Sequence, residues 1–278
     1  MPARAARDAA SATAASDAIL LREMNGPVAV LTLNRPAQRN SLSDALIAQL
    51  QGALNEIGTD TSVRAVVIAA NGPAFCAGHD LKEITAHRAG PDRGRAYFAK
   101  LMNACSAMMQ AIVHLPQPVV AAVQGIATAA GCQLVASCDL AVASESASFA
   151  TPGVDIGLFC STPMVALSRN VTRKQAMEML LTGEPVPAAR AREMGLVNRV
   201  VAPGTEREAA IALAQQVALK SAYTVKLGKE AFYRQAEMNL ADAYHYAAKV
   251  MTQNMLARDA EEGIKAFIEK RQPTWRDE

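Results

Sequence analysis

Two short stretches of the chain have a composition suited to chemistry carried by the backbone. They are Ala74-Phe75-Cys76-Ala77-Gly78-His79-Asp80 and Gly125-Ile126-Ala127-Thr128-Ala129-Ala130-Gly131-Cys132, and in each a strand ends, small residues follow and a helix starts. Backbone N–H groups at such turns have no partner inside the helix, so they can point together at an anion or a polarised carbonyl. Small side chains let that oxygen come close. Tight packing of helix on sheet produces the same pattern, and spacing alone leaves both readings open. Gln133 follows one turn later as a lone amide, a group that donates and accepts hydrogen bonds but does not exchange protons usefully near neutral pH. The chain has no G-x-S-x-G elbow, no H-E-x-x-H pair and no phosphate-binding G-x-x-x-x-G-K-[ST] loop, so the standard versions of those chemistries are excluded.

The elements that position these stretches are legible from periodicity and punctuation. Ile19–Met24 and Val28–Leu33 flank Asn25-Gly26, the dipeptide of a tight hairpin turn. Ser43 caps a helix whose Leu42, Leu46, Leu50, Leu54 and Ile57 recur at helical spacing, with Gly58 as its stop. A buried strand over Val63–Ala70 ends at Asn71-Gly72-Pro73; Phe75–Asp80 reads as a connection and Tyr97–Leu115 as a long helix closed by Pro116. Val119–Val123, a helix over Ala129–Ser137 and a strand over Asp139–Ala143 complete a strand, turn, helix, strand series, which implies crossover units and a largely parallel sheet. Beyond residue 160 helices dominate: after Thr172, after Pro187 with Gly195 as stop, over Thr205–Leu219 and over Ala241–Ala257, with Leu196–Val201 as a last edge strand.

Composition removes several function classes. With 28 basic and 26 acidic residues the net charge is +2, too small a field to attract nucleic acid or an anionic membrane, so anionic groups of a ligand must be met locally. A 4% aromatic content and one Trp leave little for base stacking. The five cysteines, at 76, 105, 132, 138 and 160, form no C-x-x-C pair and have no histidines at ligand spacing, as expected of a reduced protein without a bound metal. The uncharged run Leu101–Cys138 is interrupted by Pro116, Pro118 and Gly125 and does not read as a membrane span. The Ala-, Ser- and Arg-rich start favours a loose tail on a cytoplasmic protein, with a mitochondrial transit peptide as the alternative.

Taken in order, LTLNRPAQRNSL (Leu31–Leu42), FCAGHDLKEI (Phe75–Ile84), PVVAAVQGIATAAGCQLVASCD (Pro118–Asp139), FATPGVDIG (Phe149–Gly157) and GEPVPAARAREMGLVNRVV (Gly183–Val201) resemble the enoyl-CoA hydratase/isomerase family, the crotonase superfamily. The resemblance implies an α/β fold of crotonase-like (ClpP/crotonase) type, a spiral of βαβ units with a C-terminal helical region. It divides the chain into a tail (1–17), a core (18–204) and a helical oligomerisation region (205–278), assembling as a homotrimer or dimer of trimers. It implies an acyl-CoA or enoyl-CoA ligand, with coenzyme A as part of the thioester substrate and no tightly bound cofactor, and an oxyanion hole made by the N–H groups of His79 and Ala130. The CoA runs along Ala77, Gly78, His79, Asp80, Leu81 and Lys82, with Gly131 in the turn and Arg39 and Lys270, or Arg271, near its phosphates. The two positions held in hydratases by proton-handling glutamates are here Gln133 and Gly153, so ordinary hydration is expected to be weak or absent. Asp155, two residues on, is the candidate replacement acid if the segment is extended. Hydrolysis, decarboxylation or isomerisation remain open, as does the alternative of a non-catalytic acyl-CoA binder.

Overall fold

The computed structural model describes residues 18–278 of the chain. Two sheets organise it. The larger has the order β1(Leu20–Asn25), β2(Val28–Leu33), β3(Ala65–Ala70), β5(Val119–Val123), β7(Leu140–Ser144), β10(Arg199–Val201); β1 and β2 form the expected antiparallel hairpin, and every other pair is parallel. The turn fits its sequence, since Gly26 has a φ of +57°. The second sheet, β4(Ala74–Cys76), β6(Ile126–Thr128), β8(Ser148–Ala150), β9(Val186–Pro187), is built from strands of two or three residues. Part of it falls where the sequence reads as a connection, because three residues are too few to show a period.

Successive residues of the central strands face opposite sides, and both sides are covered, which is why these strands read as unbroken apolar runs. Leu31, Leu33, Val66, Ile68, Ala121 and Val123 point into the main core with helices α1(Asp44–Thr59) and α3(Arg95–His114). Val28, Val30, Val67, Val120 and Val142 point the other way, onto Ala210, Leu213 and Ala214 of α8(Glu206–Ala218). Helix α8 lies beyond residue 204 in sequence and yet forms a covering layer of the core sheet.

Between these come α2(Leu81–His87), α4(Ala130–Ser137), α5(Pro163–Leu167), α6(Arg173–Thr182) and α7(Ala188–Met194); after α8 follow α9(Ala222–Gln235), α10(Leu240–Met255) and α11(Arg258–Ile268). Most of the predicted caps are in place: Ser43 accepts from Leu46 N–H, Thr172 and Gln175 form a reciprocal capping box, and Gly195 closes α7 in the left-handed region, whereas Gly58 does not stop α1, which runs through it to Thr59 and ends at Asp60. Helices α9 and α10 bury no residue fully. Helix α9 is tied to the core by Asp139, whose carboxylate accepts from Lys229 Nζ and Val119 N–H at 2.7 Å and from Tyr233 O–H at 2.9 Å.

Candidate functional site

The two small-residue stretches meet at the start of α4. Gly78, at φ +89°, lies so close to the second stretch that an added Cβ would stand 3.0 Å from Ala129 Cβ and 3.5 Å from Ala130 N. Gly131 packs directly on β4: a Cβ there would stand 2.1 Å from the Cys76 carbonyl oxygen. Glycine at 131 lets the helix begin against the strand, and that approach brings residues 78 and 79 beside residues 129 and 130.

Planarity of the peptide bond aims the two N–H groups. Leu42 N–H donates to Gly78 O at 2.8 Å, and Asp80 N–H donates back to Leu42 O at 3.1 Å. The carbonyl of the 78–79 peptide is thus held toward Leu42, and the His79 N–H, on the other side of the same plane, points away from it. In the same way Gln133 N–H donates to Ala129 O at 3.0 Å, so the Ala130 N–H points out of the N-terminus of α4. Among the described residues neither N–H has a hydrogen-bond partner. Ala129 joins them at φ +50°, ψ −116°, a conformation an L-residue rarely adopts, with its own N–H bound to Ala150 O at 2.9 Å. Strain of about 1–3 kcal/mol is typical of such residues.

Side chains around this turn are short of protons to move. Gln133 is 5% exposed and Thr151 fully buried, and neither Gln133 Oε1 nor Thr151 Oγ1 has a partner among the described residues. Gln133 also lines a cavity of about 1200 Å³ walled by α3, α4, α5, α9 and the segments 138–141 and 195–198, with Met109, Val113, Val165 and Phe232 among its apolar residues and Asp139 and Lys229 among its charged ones. Both ring nitrogens of His79 are buried without a hydrogen-bond partner among the described residues, and burial lowers its pKa by more than the neighbouring Leu42 backbone and the Asp44 charge raise it, so the imidazole is neutral at pH 7. The Cys132 thiol is pushed up to about 12 by burial and by the neighbouring Cys160, which makes it a poor nucleophile.

The structure corrects the expectation for Asp155. Pro152–Ile156 is a 3-10 turn and not an extended segment, so residues 153 and 155 do not share a face. Asp155 is exposed, with its carboxylate against Gly183 at the end of α6. At Gly153 itself an added Cβ would stand 2.9 Å from both Cys160 Sγ and Leu158 O. The space a second acid needs is filled.

Arg39 is exposed, and its carbonyl accepts from Ala77 N–H at 3.0 Å, which keeps it beside the first stretch. Leu81 and Lys82 are exposed at the start of α2, whereas the Asp80 carboxylate is already engaged by Arg35 at 3.1 Å and by Lys82 N–H. Lys270 is not brought to this turn within one chain: the tail after α11 is fastened by Asp277 to Arg64 and Ala222, and Arg64 stands just before β3, at the end opposite Ala70. Arg271 is paired with Glu262 and Glu269. Sequence reasoning missed Arg35 and Thr151; for Arg35 the available signal was its place between Asn34 and Pro36 in the NRP motif, and for Thr151 none was available beyond its place before Pro152.

A parallel sheet wound with helices, a second small sheet and a glycine-cleared helix start define a protein of the crotonase-like fold. Residues 23–278 match the family described as Enoyl-CoA hydratase/isomerase. The chain is 45% identical to human "Enoyl-CoA hydratase domain-containing protein 3, mitochondrial", over 91% of this chain and 82% of that one, and 35% identical to a "Probable enoyl-CoA hydratase" of Rhizobium meliloti, over 91% and 95%. Among solved structures it superimposes on the enoyl-CoA hydratase of Mycobacterium smegmatis with a TM-score of 0.89 at 52% identity, covering 93% of this chain and 99% of that one. The crystal structure of the human domain-containing protein 3 gives 0.87 at 43%, covering 93% and 100%. The chain belongs to the enoyl-CoA hydratase/isomerase family, a family of acyl-CoA-processing proteins.

Proposed function

We propose that the chain binds an acyl-CoA thioester with the thioester oxygen between the N–H groups of His79 and Ala130, and polarises that carbonyl without the two-carboxylate hydration machinery. The observation that carries the reading is the pair of N–H groups without a partner among the described residues, each aimed by a hydrogen bond on the far side of its own peptide, with an amide at 133 and a closed backbone at 153 beside them. A fixed pair of donors at a developing oxyanion is worth on the order of 10²–10³ in rate per donor. The acyl chain enters the cavity bordered by Gln133, and Arg39 meets the CoA phosphates. Because the space at 153 is filled, thioester binding without turnover is the specific alternative, and decarboxylation or hydrolysis, which draw mainly on oxyanion stabilisation, are the reactions to test first.

Assembly as a trimer or a pair of trimers is part of this reading. Leu240, Tyr244, Met251, Met255, Leu256, Phe267 and Ile268 on α10, α11 and the intervening turn are all at least 60% exposed in the single chain, a face suited to burial between copies. The vertebrate relatives carry "mitochondrial" in their names, which supports a mitochondrial compartment over the cytoplasmic one; the N-terminal tail lies outside the described residues.

The decisive experiment is calorimetric titration with butyryl-CoA, crotonyl-CoA and CoA alone, followed by turnover of the same esters and of malonyl-CoA. Thioesters binding at least tenfold tighter than CoA support the reading, and turnover of any ester separates enzyme from binder. Affinity for every thioester weaker than millimolar, about −4 kcal/mol, overturns it.

A further inference from the structure

The two N–H groups at the turn are held in different ways. Ala130 belongs to α4, and its peptide is fixed by the first bond of that helix. His79 lies in the loop between β4 and the seven-residue α2, and the carbonyl of its peptide is fixed by Leu42, from a loop distant in sequence. Whatever holds Leu42 therefore holds the aim of His79.

That loop is built with care. Arg39 and Asn40 are both left-handed, at φ +49° and +54°, and the fully buried Asn40 side chain accepts from Arg35 N–H and donates to Asn71 O and Ala74 O, each at 2.8 Å. A second tie is a charge. The Arg35 guanidinium donates to Ser41 O at 2.6 Å, to Ser41 Oγ at 3.4 Å and to Asp80 Oδ2 at 3.1 Å, and Ser41 O–H donates to the same carboxylate oxygen at 3.2 Å. The Arg35 and Asp80 side chains are 16% and 11% exposed. Asp80 Oδ1 meanwhile accepts from Lys82 N–H and caps α2.

One guanidinium thus joins the residue before Leu42 to the residue after His79, spanning both sides of the bridge that orients the 78–79 peptide. We propose that Arg35 is a positioning residue: acting through Ser41 and Asp80, it sets the direction of the His79 N–H and with it the polarisation of a bound thioester. The inference rests on the oxyanion reading of the turn. A hydrogen bond to a developing oxyanion loses strength once its donor drifts by about 0.5 Å or 10–20°. Lysine at 35 supplies a single point charge, which cannot grip the Ser41 carbonyl and the Asp80 carboxylate together as the planar fork does.

The test is the ¹³C carbonyl signal of butyryl-CoA labelled at the thioester carbon, read by NMR and by infrared difference spectroscopy on the full chain and on Arg35→Lys, Arg35→Met and Asp80→Asn. In the unaltered protein the carbonyl moves downfield and its stretch moves to lower frequency on binding. The inference expects each variant to lose half or more of that displacement while, in the two Arg35 variants, affinity for CoA alone stays within about threefold. A merely structural role for Arg35 lowers thermal stability but leaves the carbonyl signal of the folded, bound fraction in place, and that result overturns the inference. Should Arg35→Met fail to fold, Asp80→Asn, which keeps shape and removes charge, carries the test together with Arg35→Lys. Absence of any displacement in the unaltered protein sinks the oxyanion reading itself, so the two failures are distinct.

Discussion

Glutamate introduced at 133 and at 153, separately and together, has unequal consequences at the two positions. Gln133→Glu exchanges an amide for a carboxyl of nearly the same shape at a site 5% exposed, where burial raises the carboxyl pKa toward the range of a useful acid and base. Gly153→Glu has to place a Cβ 2.9 Å from Cys160 Sγ and 2.9 Å from Leu158 O. The thiol can rotate; the carbonyl belongs to a loop pinned by Leu158 N–H to Gly153 O at 2.9 Å and must move as backbone. Overpacking of this kind costs about 1–3 kcal/mol, which for a chain of this size lowers Tm by roughly 2–12 °C. The assay is crotonyl-CoA hydration, followed by loss of enoyl thioester absorbance, alongside thermal unfolding. The natural protein is expected to be slow and Gln133→Glu faster by about 10², the lower end for one proton-transferring group. Gly153→Ala is expected to lower Tm with no gain in rate, and the double variant to add less than about tenfold to Gln133→Glu. A double variant far more active than that, with Tm unchanged, refutes the argument that the 153 loop has closed; a natural protein as fast as Gln133→Glu refutes the argument that the missing acid limits hydration.

Three further outcomes follow from the same geometry. Ala129→Gly relieves the strain at φ +50° at the expense of unfolded-chain entropy, and is expected to raise the unfolding free energy by about 1 kcal/mol in urea denaturation; a loss of stability would mean that Ala129 is not strained. His79 is held below its usual value of 6.5, so its folded pKa is depressed and the unfolded chain takes up more protons as pH falls through about 6.5. Stability is therefore expected to decline between about pH 7 and 5 by denaturant titration, and the decline should flatten in His79→Gln. Lys229→Met strands the Asp139 carboxylate, 15% exposed, and is expected to cost about 3 kcal/mol, partly recovered in Lys229→Met combined with Asp139→Asn.

What the sequence disclosed depended on how locally each feature is encoded. Asn25-Gly26, Ser43, Thr172 with Gln175, and Gly195 act on neighbours within four residues, and each did what its residue type predicts. The pair of small-residue turns was visible for the same reason. The second sheet was not, because strands such as Val186–Pro187 have too few residues to show alternation and owe their conformation to pairing with segments far away. Helix α11 begins after Ala257 without a side-chain cap; the N-cap signal of α9, Ser221, which accepts from Thr224 N–H, went unread, and α9 draws its hold on the core from Lys229 and Tyr233, whose partner Asp139 belongs to a different part of the chain. Asp155 went astray through a wrong local conformation: two residues apart on a strand share a face, whereas in a 3-10 turn they do not.

In the proposed function, recognition and proton transfer are separable for a physical reason. The donors proposed to meet a thioester oxygen are main-chain groups, so side-chain identity affects them only through the direction in which each peptide is held. Ala in place of a bare residue at 129 and 130 is accommodated because Ala150 O and the first bond of α4 fix the plane on either side. Proton transfer has no such tolerance, since it requires a carboxyl or imidazole in contact with the reacting atoms. At 133 an amide has nearly the shape of a carboxyl, whereas at 153 a Cβ would meet Cys160 Sγ and Leu158 O at 2.9 Å. A single substitution at 133 is therefore expected to supply one proton-handling group, while a second at 153 is expected to require the loop from Gly153 to Cys160 to be rebuilt as well.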